Sequence, residues 1–227
     1  MKKTILCLVA VLALTCISLP AQGTDIAAVA LNATGFLSDI SRATVYALDG
    51  KAWALSVDPA NLTLIKEYRE KKAAAMAIKD PKDQDGKVKE INATYGPQFD
   101  EAMAKLKADK NKAEADTAVK LGKAVKYEAI AILIDAQALS TLPDMQTAVQ
   151  AALQNLPKGM AAMKYKNDIS YLKYASGVMP NLPGELKSQM DSITTTINQI
   201  KAFAAAYKIE LPKTESLTAK DTETDGE

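Results

Sequence analysis

The chain has 227 residues, 48% of them hydrophobic, and its 28 basic side chains balance 27 acidic ones for a net charge of +1. It holds no histidine, which removes Ser-His and Cys-His nucleophile pairs, histidine zinc sites and the usual general base near neutral pH. Arg42 and Arg69 are its only arginines, so both the basic excess and the guanidinium forks that grip nucleic acid are missing, and nucleic acid is excluded as a partner.

Lys2 and Lys3 precede an uncharged apolar run over residues 5 to 19, the layout of a secretory signal peptide. The run falls short of the roughly 20 residues needed to span a bilayer as a helix. Ala21-Gln22-Gly23 offers small residues where a signal peptidase cuts, so residues 1 to 23 are read as a signal peptide and the mature chain as starting at Thr24. The alternative is a lipoprotein anchored at Cys16. Ala13-Leu14-Thr15 is a poor lipidation context, and with the cut after Gly23 both Cys7 and Cys16 leave with the leader. The expected location is the periplasm or the outside of the cell. Removing Lys2 and Lys3 leaves 26 basic against 27 acidic residues, a nearly neutral mature protein.

The body, residues 24 to 213, is rich in Ala, Lys, Leu, Glu and Gln, which favour helices, and period-2 alternation of β-branched residues is scarce. The fold class expected is all-α, an antiparallel bundle of about five to seven helices. Residues 25 to 57 read as helical, with breaks near Gly35 and at Asp49-Gly50. Asp58 is placed to cap, and Pro59 to open, a helix carrying Leu62, Ile65 and Tyr68 to about Lys79.

Asp83, Asp85 and Gly86 fall at three places of a calcium-binding loop, but Pro81 and Asn92 occupy its first and last positions, where Asp and Glu are required. Residues 80 to 92 therefore read as a solvated turn between helices. Phe99, Met103 and Leu106 begin the next helix. Residues 127 to 139 (YEAIAILIDAQAL) are apolar on nearly every face, which marks the buried centre of a bundle.

Recurrent prolines (59, 81, 97, 143, 157, 183 and 212) read as helix boundaries. Gly159 and Gly177 are placed to end or bend helices. Leu186, Met190, Ile193, Ile197, Ile200, Ala204 and Tyr207 recur at alternating spacings of 4 and 3, a heptad seam that needs a partner helix. From residue 214 the acidic, polar tail is expected to be disordered.

Glu128 and Asp135 are the only acids within the apolar segment. They share a helix face about 10.5 Å apart along the axis, too far for two carboxylates that attack one glycosidic bond. A polar stripe reaching solvent, or a lysine on a neighbouring helix, explains them better. Met145, Met160, Met163, Met179 and Met190 cluster with Tyr165, Tyr171 and Tyr174. Adaptable methionines suit an apolar surface that accepts varied partners, and these eight residues are the candidate ligand- or partner-binding set.

The function expected is that of an exported, non-catalytic helical protein that binds a partner protein or a hydrophobic small molecule through an apolar groove between helices. No catalytic residue, metal or cofactor is expected. The alternatives are a membrane-active or pore-forming helical protein, which the balanced charge and single Trp53 argue against, and a carboxylate-dependent enzyme. Membrane-surface contact follows only from a lipidated Cys16.

Overall fold

A computed structural model describes residues 25 to 107 and 114 to 211. The expected signal peptide, both cysteines, Pro212 and the acidic tail lie outside the described residues. Within them the chain forms α-helices and short 3-10 turns and no strand: α1 (Ile26–Leu55), α2 (Leu62–Met76), α3 (Pro81–Ala104), α4 (Glu114–Gln154), α5 (Met160–Lys164), α6 (Lys166–Val178) and α7 (Leu182–Ala206).

Asp25 starts α1 by accepting hydrogen bonds from the backbone N–H groups of Ala27 and Ala28, which satisfies donors the first turn leaves unpaired. Ile26, Val29, Ala33, Leu37 and Ile40 then bury one face, and from Ala43 to Leu55 the helix is covered on most sides. It is the central helix. The expected breaks at Gly35 and Asp49-Gly50 do not occur, because α1 runs through both. At Gly50 the packing of the covered half of α1 outweighs the helix penalty of roughly 1 kcal/mol per glycine, and Gly50 serves a neighbour described below; at the exposed Gly35 the buried residues on either side, Ala33 and Leu37, hold the helix.

Residues 81 to 92 are likewise helix and not turn. Asp80 caps α3 through the N–H groups of Lys82 and Asp83, with Pro81 in the first turn, the same device as Asp58 and Pro59 before α2. Phe99 and Met103 consequently end a helix instead of beginning one. Pro183 opens α7 and Pro157 separates α4 from α5, as expected, but Pro97 and Pro143 lie inside α3 and α4. Both are exposed, so water can serve the carbonyls their missing N–H groups leave free. Core residues on either side, Tyr95 with Phe99 and Leu142 with Met145, hold each helix in line.

Two apolar cores, one at each end of the bundle, fix the helix directions. Leu48, Leu55, Tyr68, Phe99, Leu121, Ile200 and Phe203 share one. Ile26, Leu37, Leu142, Val149, Leu172, Leu182 and Leu186 share the other. α4 therefore runs antiparallel to α1, while α7 runs parallel to it. In the first core the rings of Tyr68 and Phe99 meet edge to face at 5.2 Å, and each fully buried apolar side chain is worth roughly 1.5–3 kcal/mol.

In the apolar segment 127–139 no residue before Ala136 is exposed, which places its first part at the bundle centre, while Ala136 and Gln137 reach solvent. The heptad seam of α7 holds at Leu186, Ile193, Ile200 and Ala204, which are buried, while Met190 and Ile197 are half-buried and Tyr207 lies just past the helix end. Thr196 and Phe203 are buried in their place. The reason is that α7 packs on α1 and α4 together, a wider contact than one seam provides. Among the described residues no helix is long and apolar enough to cross a membrane.

Candidate functional site

Between the two cores α3 and α7 diverge over α1 and leave a cleft of 660 Å³, within the roughly 300–1,000 Å³ of ligand pockets. Each helix contributes one stripe at helical spacing: Ser41, Thr44, Leu48 and Lys51 from α1; Asp85, Val88, Asn92, Gly96 and Asp100 from α3; Glu185, Gln189 and Ser192 from α7. Small residues at Ala47, Ala93, Gly96 and Gly184 line it too and keep it open. Ile40, Leu48, Val88, Leu186 and Ile193 give it an apolar surface.

Polar side chains cross the cleft floor in three places. At one end Asp85 accepts from the Ser41 hydroxyl at 2.7 Å and from the Tyr174 hydroxyl, and it pairs with Lys89 at 3.0 Å. Burial, followed by the Asp85 carboxylate, pushes the Tyr174 phenol up. In the middle the Thr44 hydroxyl donates to Gln189 at 2.9 Å, and the Gln189 amide donates to Asp135 at 2.9 Å. At the other end the Lys51 ammonium donates to Asp100 at 2.6 Å and to Ser192 at 3.0 Å. The Lys51 side chain is 6% exposed and that of Asp100 is 56% exposed, so this pair opens to solvent on its acid side.

Two α4 carboxyls lie buried beneath this floor. Burial pushes Asp135 up to about 7, partly opposed by its bond from Gln189, and its Oδ1 has no hydrogen-bond partner. Glu128 is fully buried, and neither carboxyl oxygen has a partner. Desolvation holds its proton well above the usual carboxylate range, against the pull of Lys51, with Asp100 adding a smaller push upward. Gly50 makes the space it fills: a Cβ there would lie 2.6 Å from Glu128 Cγ. A lysine on a neighbouring helix is thus present, although it bonds elsewhere.

The eight residues expected to form a groove separate. Met145 and Met179 are buried in the second core, where Tyr165, Tyr171 and Tyr174 pack half-buried at its edge. Tyr171 and Tyr174 meet edge to face at 5.9 Å. Met160 and Met163, on the short α5, are 87% and 77% exposed, and Met190 is half-buried on α7. None lines the cleft, and Tyr174 alone reaches its floor, through Asp85.

Sequence reasoning missed Lys51, Asp85, Asp100, Gln189 and Ser192. For Lys51 a signal existed: it is a lone lysine between Ala47-Leu48 and Ala52-Trp53-Ala54-Leu55, where an apolar face has no reason to carry a charge. Among the described residues no group of three or more His, Cys, Asp or Glu side chains is arranged to hold a metal ion. The arrangement can present a charged pair, a row of hydroxyl and amide groups and an apolar wall to one small molecule. No family model, curated protein or solved structure matches the chain.

Proposed function

We propose that this is an exported, non-catalytic binding protein that holds a small amphipathic molecule in the cleft between α1, α3 and α7. The observation that carries the reading is a ligand-sized cleft whose floor combines an apolar wall with the Lys51–Asp100 pair, its lysine buried and its acid open to solvent. A few placed polar groups of this kind orient a ligand, whereas the apolar wall supplies affinity. The reading rests on the cleft and not on the methionine–tyrosine cluster. Export is supported by the charged start and apolar run of the leader. The chain holds no histidine to act as a general base near neutral pH, which favours holding over turnover.

Native mass spectrometry of the protein purified from its own host tests this. A bound small molecule should appear on the wild type and be absent from Ala93→Trp, which fills the cleft from an exposed position on α3. No bound mass, or a mass retained by Ala93→Trp, refutes the proposal. The same spectra report export: a chain starting at Thr24 supports the cut, and an acylated Cys16 replaces it with membrane anchoring.

A further inference from the structure

We infer that the cleft takes an organic monocation, a protonated amine on an apolar body, and that Lys51 answers its arrival by moving from Asp100 to Glu128. The inference rests on the reading of the cleft as a binding site and adds the ligand's chemical class. Three charges of one sign and two of the other line the cleft: Asp85, Asp100 and Glu185 against Lys51 and Lys89. The surplus is negative, which attracts a cation and disfavours an anion of equal size. Of the ion pair at its end, the acid is the half that solvent reaches. An incoming ammonium therefore meets Asp100 first.

Glu128 supplies the reason for Lys51 to yield. A fully buried carboxyl with two unpartnered oxygens is a costly feature unless some state of the protein satisfies it. The Lys51 ammonium has three N–H donors, two of which go to Asp100 and Ser192. It is also the group whose charge acts most strongly on Glu128. Gly50, beside Lys51 in sequence, leaves the room in which the Glu128 carboxyl sits against α1.

Of the charges that act on Glu128, Lys51 and Asp100, only Lys51 can donate to it. From α1, Asp49 is taken up by Lys72 and Tyr68 of α2. α7 adds uncharged groups: Ser192, whose hydroxyl oxygen accepts from Lys51, and Thr196, whose hydroxyl donates within its own helix.

The charges balance in both states. Without ligand the layer holds neutral Glu128, cationic Lys51 and anionic Asp100. With the ligand bound, the amine cation pairs with Asp100, Lys51 pairs with Glu128, and Glu128 gives up its proton to solvent. One cation enters and one proton leaves, so the buried layer stays neutral and avoids the desolvation penalty of a net charge.

Calorimetry with n-hexylammonium, n-hexanoate and n-hexanol as probes, in two buffers of different ionisation enthalpy at pH 7, tests the exchange. n-Hexylammonium should bind best and release about one proton per site. Glu128→Gln should bind it with no proton released, and Asp100→Asn should bind it about tenfold more weakly or worse, the loss that follows removal of a charge-assisted bond. Circular dichroism confirms that each variant is folded. Proton release unchanged in Glu128→Gln overturns the exchange. Binding of n-hexanoate or n-hexanol as tight as n-hexylammonium overturns the cation class but leaves the cleft a binding site. No binding of any probe, together with no host-derived mass on the purified protein, overturns both.

Discussion

Replacing Gly50 by alanine isolates the contact on which the buried layer depends. In a helix interior, Gly→Ala ordinarily stabilises by roughly 0.5–1 kcal/mol through lower backbone entropy in the unfolded chain. At Gly50 the new methyl would lie 2.6 Å from Cγ, 2.8 Å from Cδ and 2.8 Å from Oε1 of Glu128. Glu128 is fully buried, so its side chain has no solvent-filled space into which to swing. Overpacking of this kind costs about 1–3 kcal/mol.

The net expectation, overpacking minus helix propensity, is a loss of up to about 2.5 kcal/mol and no gain. Gly35→Ala is the internal control, because Gly35 lies exposed in the same helix and the methyl added there would meet nothing within 4 Å; it should gain about 0.5–1 kcal/mol. Urea denaturation followed by circular dichroism measures both. The double variant Gly50→Ala/Glu128→Ala should recover part of the loss, a non-additivity of about 1 kcal/mol or more between touching residues. A Gly50→Ala protein as stable as Gly35→Ala would refute the close packing of Glu128 on α1.

Asp135 ionises near 3.8 when exposed and near 7 in the fold, so between those values the folded state binds more protons than the unfolded one. Stability therefore falls as pH rises through that window and levels off above about 7, with Glu128 continuing the decline to higher pH. Asp135→Asn keeps an acceptor for Gln189 and should flatten the slope, which urea midpoints at pH 5 and pH 8 would show; an unchanged slope contradicts the assignment. Met160→Gln with Met163→Gln should change stability by no more than about 0.5 kcal/mol, because both side chains are exposed, whereas Met179→Ala should cost about 2–5 kcal/mol from the core. Thermal melts rank the two, and equal effects would contradict the placement of these methionines.

Helix content was legible because it is written locally, in propensity and in the spacing of apolar residues along α4 and α7. Helix ends were legible where a cap and a proline coincide, as at Asp58-Pro59. The same signature at Asp80-Pro81 marks the start of α3, and the failed calcium-loop pattern of residues 80 to 92, read as a solvated turn, hid it. Pro97 and Pro143 misled because proline's cost is local while the residues that Phe99 packs against in one core, and Met145 in the other, come from distant segments.

Of the polar layer beneath the cleft, the sequence singled out only Glu128 and Asp135, acids that stand out against an apolar run, and read them as a polar stripe and not as a site. The lining residues Lys51, Asp100, Gln189 and Ser192 were not legible, since they lie on three helices far apart in sequence, and nothing local sets their register. Methionine clustering pointed to 145–190 because composition cannot separate core filling from a binding surface. Burial does separate them: Met145 and Met179 are inside, while Met160 and Met163 face solvent.

The most direct measurement is a crystal structure of the protein purified without denaturation from its own host. The expected result is density for a small molecule between α1, α3 and α7, with a polar end at Asp100 and an apolar body against Leu48 and Ile193. A cleft holding only water, or a ligand seated instead against Met160 and Met163, would contradict the assignment of the site.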